Sequence, residues 1–208
     1  MLLGIDLGTG SAKALLLAID GTTISDASSA YSVHAPYRGW AESDPEDWWS
    51  AVAVAVRKAV EHRAEQVQAI ALSGQMHGVV LTDGLGQPLR PAILWADTRS
   101  ATLSAYHSLD APILERLGNP ITAGMAGSTL LWLREHEPNV YAQARWALQP
   151  KDWLRLQLTG ELGTEPSDAS GTLLYDVMSD NWAWDVRYQS LYPQLKKSDV
   201  PEGGTTNK

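Results

Sequence analysis

The sequence predicts an α/β domain, a mixed sheet with flanking helices. Three observations carry that expectation. Two short apolar runs, LLGIDL (2–7) and AKALLLAI (12–19), flank the turn Gly-Thr-Gly-Ser, which is the composition of a β-hairpin. A third run, TISDASSAYSV (23–33), follows the Asp20-Gly21 turn and extends the hairpin into an antiparallel meander. A long amphipathic helix and an apolar strand come only after these, whereas a βαβ unit opens its helix directly after the first turn.

That helix is expected within 42–66. Asp44 suits the N-cap, Pro45 the first helical position, and Glu46 and Asp47 complement the partial positive charge of a helix start. Trp48, Trp49, Val52, Val56, Ala59 and Val60 recur at helical spacing and predict one buried face. VQAIALSG (67–74) reads as a buried strand, and VVLTD (79–83) with Gly84 as another strand and turn. Helices are expected at 111–118 and at 128–138, the second stopped by Pro138. VYAQARWAL and PKDWLRLQLTG add two more across 140–160. The segment 194–208 is polar and rich in breakers, and is expected to be a mobile tail.

Hydrophobic side chains make up 44% of the 208 residues, enough for a packed core. The net charge of −8 disfavours nucleic acid or an anionic membrane as the main partner. Without cysteine, disulfides and thiolate metal sites are excluded. The N-terminus lacks the basic start and long apolar run of a signal peptide, and no run reaches the length of a membrane span. A soluble cytoplasmic protein is the expectation. The five histidines (34, 62, 77, 107 and 136) show no paired metal spacing, and no serine occupies a G-x-S-x-G elbow.

The stretch GIDLGTGSAK (4–13) needs a chemical reading. It fails the Walker A pattern because Lys13 follows Ala12 rather than Gly. It fails the dinucleotide fingerprint because Lys13 stands where the third glycine belongs, and a strand follows where a helix should open. Two readings remain. One is a solvated hairpin with an incidental Asp6. The other is an anion cradle, in which backbone amides of Gly8, Thr9, Gly10 and Ser11 converge on a phosphate beside the Thr9 and Ser11 hydroxyls. In that reading Lys13 supplies positive charge and Asp6 holds a magnesium ion directly or through water.

SGQMHG (73–78) ends a strand, where ligands often meet an open α/β sheet. Gln75 offers a donor and an acceptor, His77 can be either, and Gly74 and Gly78 permit a tight turn. Such groups suit a polyol, but taken alone His77 reads more readily as an ordinary satisfied histidine than as a ligand contact. In LWADTR (94–99), Asp97 either caps a helix formed by TRSATLSAY or borders a pocket together with Trp95 and Arg99. In SDASGT (167–172), Ser167 or Asp168 can simply cap a turn.

Gly4 to Lys13 resembles the first phosphate-binding hairpin, D-L-G-T-[GS]-x-x-K, of the sugar-kinase, actin and heat-shock-chaperone ATPase superfamily. WAESDPEDWW (40–49), SGQMHG, RPAILWADTR (90–99), PKDWLRLQLTGE (150–161) and SDASGT narrow this to the N-terminal domain of the FGGY carbohydrate kinases, and within them to the xylulose kinases. The matches run from residue 4 to about residue 185. The resemblance implies a ribonuclease-H-like fold, as in actin-like ATPases and sugar kinases. It implies a sugar-binding domain at 1–193 and the polar tail at 194–208, with no C-terminal ATP-binding domain in the chain.

It further implies ATP and Mg2+ as cofactors and a small sugar as substrate. The expected reaction is phosphorylation of a ketopentose, D-xylulose to D-xylulose 5-phosphate, with kinases of ribulose or gluconate as alternatives. Asp6 would organise magnesium and phosphate charge, while Gly8, Thr9, Gly10, Ser11 and Lys13 cradle phosphate. Gln75, Met76 and His77 would contact the sugar, the Met-His pair favouring a pentulose over glycerol. Trp95, Asp97 and Arg99 would border the pocket. The general-base Asp of the family lies in a glycine-rich segment that is expected beyond Lys208, so the 208-residue chain by itself is expected to be inactive. Thr129 stands where the family usually has Lys. Two further readings stay open, a non-catalytic sugar-binding module and a truncated gene product with an uncovered apolar face. Homodimerisation also stays open.

Overall fold

A computed structural model describes residues 1–101, 106 and 108–184. The expected tail at 194–208 and most of the TRSATLSAY segment lie outside the described residues. The first three strands, β1 (Leu2–Leu7), β2 (Ser11–Leu17) and β3 (Thr23–Ala30), form the predicted antiparallel meander. A fourth strand, Ala69–Gly74, joins β1 in parallel and completes a mixed sheet in which β1 lies between it and β2. In chain order that strand is β5, after the short β4 (Glu42–Ser43).

Alternation sets the two faces of this sheet. Leu3, Ile5 and Leu7 of β1 and Ala12, Ala14 and Leu16 of β2 point to one side and are buried. Helix α1 (Pro45–Val60) covers that side with Trp48, Ala51, Val52, Ala55 and Ala59. Alanines at 51, 55 and 59 share one stripe, and their small side chains let the helix lie close on the strands. The start of α1 is as the sequence predicts: the Asp44 carboxylate accepts from the Glu46 amide at 2.9 Å, and Pro45 opens the first turn. Trp48 is fully buried and donates through Nε1 to Ser43 Oγ at 2.8 Å, so the indole sinks into the core without an orphaned donor.

The opposite face is open among the described residues. Leu2, Leu15 and Ile70 are 38%, 38% and 54% exposed. A groove of about 310 Å³ crosses it, lined by Gly4, Lys13, Leu15, Ala71 and Ser73 among others. The expectation that 67–74 is a buried strand is corrected here. β5 sits at the sheet edge, and Ala69, Ile70 and Ala71 are exposed. Its apolar run reads as burial, but burial of a strand needs cover along both edges and faces, and among the described residues only β1 pairs with it.

A second core gathers the remainder. Strands β6 (Val80–Thr82) and β7 (Ala92–Ile93) meet helices α2 (Ala111–Leu117) and α3 (Ala126–His136). Val79, Leu81, Ile93, Tyr106, Leu117, Leu130 and Leu133 are buried together there. The helix expected over VYAQARWAL is also corrected. Helix α4 (Pro138–Gln143) stops early, and Trp146–Leu148 forms β8, antiparallel to β6. Ladder bonds to a strand far away in sequence override a local helical pattern. Helices α5 (Pro150–Thr159) and α6 (Pro166–Ser170) and the hairpin β9 (Tyr175–Asp176) and β10 (Asn181–Trp182) complete the described chain. Thr129 is buried within α3 at 1% exposure, so this position packs rather than presenting a charge.

Candidate functional site

The sheet brings the two sequence motifs together. β1 and β5 run parallel in a register that sets Asp6 against Ser73 and Leu7 against Gly74. The hairpin tip after β1 and the Gln75-Met76-His77 turn after β5 therefore emerge side by side at the carboxyl end of two adjacent strands. Open α/β sheets bind ligands at that end. The Gln75 amide donates to Leu7 O at 2.8 Å and ties the two exits together. Gly74 is required there, because a Cβ would stand 3.0 Å from the same carbonyl.

At the hairpin tip, the Gly8 amide donates to Ser11 O at 3.0 Å and closes the turn. Tyr31 accounts for two of its carbonyls, its amide donating to Gly10 O at 3.1 Å and its hydroxyl donating to Gly8 O. The amides of Thr9 and Gly10 donate to no acceptor among the described residues. Two free amides beside the Thr9 and Ser11 hydroxyls form a donor-rich concavity suited to an anion. Lys13 lies directly across the ladder from Asp6, on the same sheet face. Burial, with the nearby Asp6 charge adding to it, pushes the Tyr31 phenol well up, so it remains a proton donor.

Asp6 is half-buried, and its carboxylate makes no hydrogen bond or ion pair among the described residues. No group of three or more His, Cys, Asp or Glu is placed to hold a metal among those residues. This donor set fits magnesium, which keeps much of its water and needs only one or two carboxylates when phosphates supply the rest. It does not fit a cation held by protein ligands alone.

Gln75 is buried, and neither its amide oxygen nor its nitrogen has a partner among the described residues. A buried amide left this way is completed by a ligand hydroxyl or by water. Met76 is 45% exposed. His77 adopts a left-handed backbone, φ 67°, an uncommon conformation for a residue with a Cβ. Its Nδ1 lies 2.8 Å from Gly171 O, and its amide donates to Gln149 Oε1 at 2.9 Å. Trp95, half-exposed, donates through Nε1 to Thr9 Oγ1 at 3.0 Å and so touches the hairpin itself.

Asp97 and Arg99 lie beneath this surface. Asp97 is 1% exposed and accepts from the Ala41 amide at 2.6 Å and from the Arg99 amide at 2.8 Å. The Arg99 guanidinium clasps Asp97 through Nε and Nη2, reaches Glu42 at 2.8 Å and stacks over Trp40 at 3.5 Å. Arg90 continues the network to Glu42 and to Glu137. These contacts pin the loop that carries Trp95. The cap of α6 comes from Glu165, whose carboxylate accepts from the Ser167 and Asp168 amides, rather than from Ser167 or Asp168. Asp168 itself is buried against Lys151.

Sequence reasoning passes over Gly124. Its φ is 82°, and a Cβ there would lie 2.1 Å from Trp95 O. Gly124→Ala therefore strains the backbone and pushes on the Trp95 loop. The expected loss is about 3 kcal/mol or more, checked by chemical denaturation.

The chain matches the sequence profile of the FGGY family of carbohydrate kinases, N-terminal domain, over residues 1–191. It is 38% identical over 203 residues to the xylulose kinase of Escherichia coli (strain K12), covering 97% of this chain and 41% of that protein. It is 33% identical to the xylulose kinase of Staphylococcus xylosus, covering 99% and 44%. The chain thus spans about two fifths of the length of these relatives. Among solved structures, a xylulose kinase from Brucella ovis superposes with a TM-score of 0.87 at 35% identity, covering 96% of this chain and 42% of that one. A gluconate kinase from Lactobacillus acidophilus superposes at 0.88 with 25% identity, covering 97% and 41%. The mixed sheet with its covering helix agrees with the ribonuclease-H-like, actin-like ATPase architecture of these sugar kinases. The chain belongs to the FGGY family of carbohydrate kinases, matching its N-terminal domain over residues 1–191.

Proposed function

We propose that the protein containing this chain phosphorylates a ketopentose at the expense of ATP, most specifically D-xylulose to D-xylulose 5-phosphate. The observation that carries this reading is the juxtaposition of free turn amides at Thr9 and Gly10 with the orphaned Gln75 amide, at one sheet end. One group of donors suits a phosphate and the other a polyol, and phosphoryl transfer needs both within reach.

In this reading the Thr9 and Gly10 amides and the Thr9 and Ser11 hydroxyls bind the transferring phosphoryl oxygens. Lys13 adds positive charge. Asp6 takes the magnesium ion, through water or directly. ATP supplies the phosphoryl group, and magnesium neutralises its charge. Gln75 and His77 hydrogen-bond sugar hydroxyls, and Met76 packs on the carbon skeleton. Trp95, anchored to Thr9, closes one side, while buried Asp97 and Arg99 keep its loop in place. An aspartate beyond residue 208 accepts the proton of the attacking hydroxyl, and closure of a second domain excludes water.

The xylulose assignment is supported by the Met76-His77 pair and by relatives named xylulose kinase. A gluconate kinase of similar fold keeps other polyols as outcomes of the test. The experiment is ADP release by the whole protein against xylulose, ribulose, gluconate and glycerol. Xylulose is expected to give the highest kcat/KM, and the 208-residue chain alone is expected to give no sugar-dependent turnover. Preference for another polyol overturns the substrate. Sugar binding without turnover by the whole protein overturns the kinase reading in favour of a binding module.

A further inference from the structure

Gln149 occupies the N-cap of α5, yet its side chain caps no amide of that helix. It is 5% exposed and spans two other segments instead. Its Oε1 accepts from the His77 amide at 2.9 Å, and its Nε2 donates to Asp168 O at 2.6 Å. Both partners are backbone groups of fixed polarity, one a donor and one an acceptor, so the amide can face only one way. Asp168 O also accepts from the Gly171 amide at 3.1 Å, and Gly171 O in turn meets His77 Nδ1. The result is a closed ring of contacts through His77, Gln149, Asp168 and Gly171. Gly171 is needed in it, because a Cβ there would stand 2.6 Å from the His77 ring.

A carbonyl oxygen only accepts, so the 2.8 Å contact to Gly171 O places the proton on Nδ1 of His77. In the neutral ring, Nε2 is then a bare acceptor, and it has no partner among the described residues. We propose that Gln149 is a positioning residue for sugar recognition: through the His77 amide and the 168–171 turn it fixes His77 in one tautomer, with Nε2 presented to a hydroxyl that donates. Resting on the kinase reading above, this deepens it. The sugar atom at His77 must carry a proton, so a hydroxyl fits and a carbonyl or carboxylate oxygen does not.

The test uses the whole protein, with His77 read by its imidazole nitrogen resonances and sugar kinetics measured alongside. In its neutral form the wild-type ring is expected to show protonated Nδ1 and unprotonated Nε2. Gln149→Leu is expected to mix the tautomers and raise the sugar KM about tenfold, the loss of one positioned hydrogen bond. It should leave kcat and the KM for ATP within about twofold. A proton on Nε2 of the neutral wild-type ring overturns the proposal. So does a Leu variant whose tautomer is unchanged, or one that loses kcat and both KM values together with stability. Absence of any sugar turnover in wild type refutes the kinase reading alone, since the nitrogen resonances still decide the role of Gln149.

Discussion

Asp6→Asn is expected to lower sugar-dependent ADP release by the whole protein about a thousandfold while leaving its stability nearly unchanged. The two halves of that expectation have separate causes. Asn matches Asp in shape, and the Asp6 carboxylate makes no hydrogen bond or ion pair among the described residues that its loss would break. Surface or half-buried changes of this kind fall within about 0.5 kcal/mol. On the proposed kinase reading, catalysis would depend instead on the negative charge, which would hold magnesium near the phosphates where charge develops during transfer. Removing one preorganised electrostatic contact of this type costs about a hundredfold to a thousandfold, and loss of the metal's protein anchor adds to it. Kinetics and a thermal melt on one preparation check both halves. A variant with near-normal kcat would return GIDLGTGSAK to a solvated hairpin.

The second large effect is on stability. Lys151 Nζ lies 2.9 Å from Asp152 Oδ1 and 3.1 Å from Asp168 Oδ2, and both carboxylates are nearly fully buried. Burial alone would lower the Lys151 pKa, but the two carboxylates outweigh it and hold the ammonium above its ordinary value. Burial raises the Asp152 pKa, and Lys151 only partly offsets that. Lys151→Met leaves two buried acids facing each other without a cation, which costs about 3–5 kcal/mol. In a domain of this size the melting temperature is expected to fall by roughly 10 °C. The pH dependence has a definite sign. Asp152 has a raised pKa in the folded state, so the stability it retains when protonated is present at acid pH and is lost as pH rises. Without Lys151 that pKa rises further. The variant is therefore expected to lose most stability relative to wild type near neutral pH and least near pH 4. Equal losses across that range in thermal melts would contradict the assignment.

Much of the N-terminal half is legible in the sequence because its signals are local. The Gly-Thr-Gly-Ser turn, the Asp44-Pro45 helix start and the helical spacing from Trp48 to Val60 all act within a few residues. Features set by distant partners are not legible in the same way. β5 reads as buried, yet its exposure depends on which strands flank it. Trp146–Leu148 reads as helix until it pairs with Val80–Thr82. In the site, the spacing and chemistry of Asp6, Gln75 and His77 mark them out. Their juxtaposition follows only from the parallel register of β1 with β5. Gln149 meets His77 across 72 residues, and no local pattern announces such a pair. Asp97 and Arg99 draw notice as charged groups near a tryptophan, but only the fold shows them clasped to each other and to Glu42 in the interior.

The most direct measurement is a crystal structure of the whole protein with a non-hydrolysable ATP analogue and xylulose bound together. The terminal phosphate is expected within hydrogen-bond distance of the Thr9 and Gly10 amides, with a sugar hydroxyl against Gln75 and His77 Nε2. A terminal phosphate bound away from the hairpin, or a sugar seated elsewhere than the 75–77 turn, would contradict the assignment of this sheet end as the site of phosphoryl transfer.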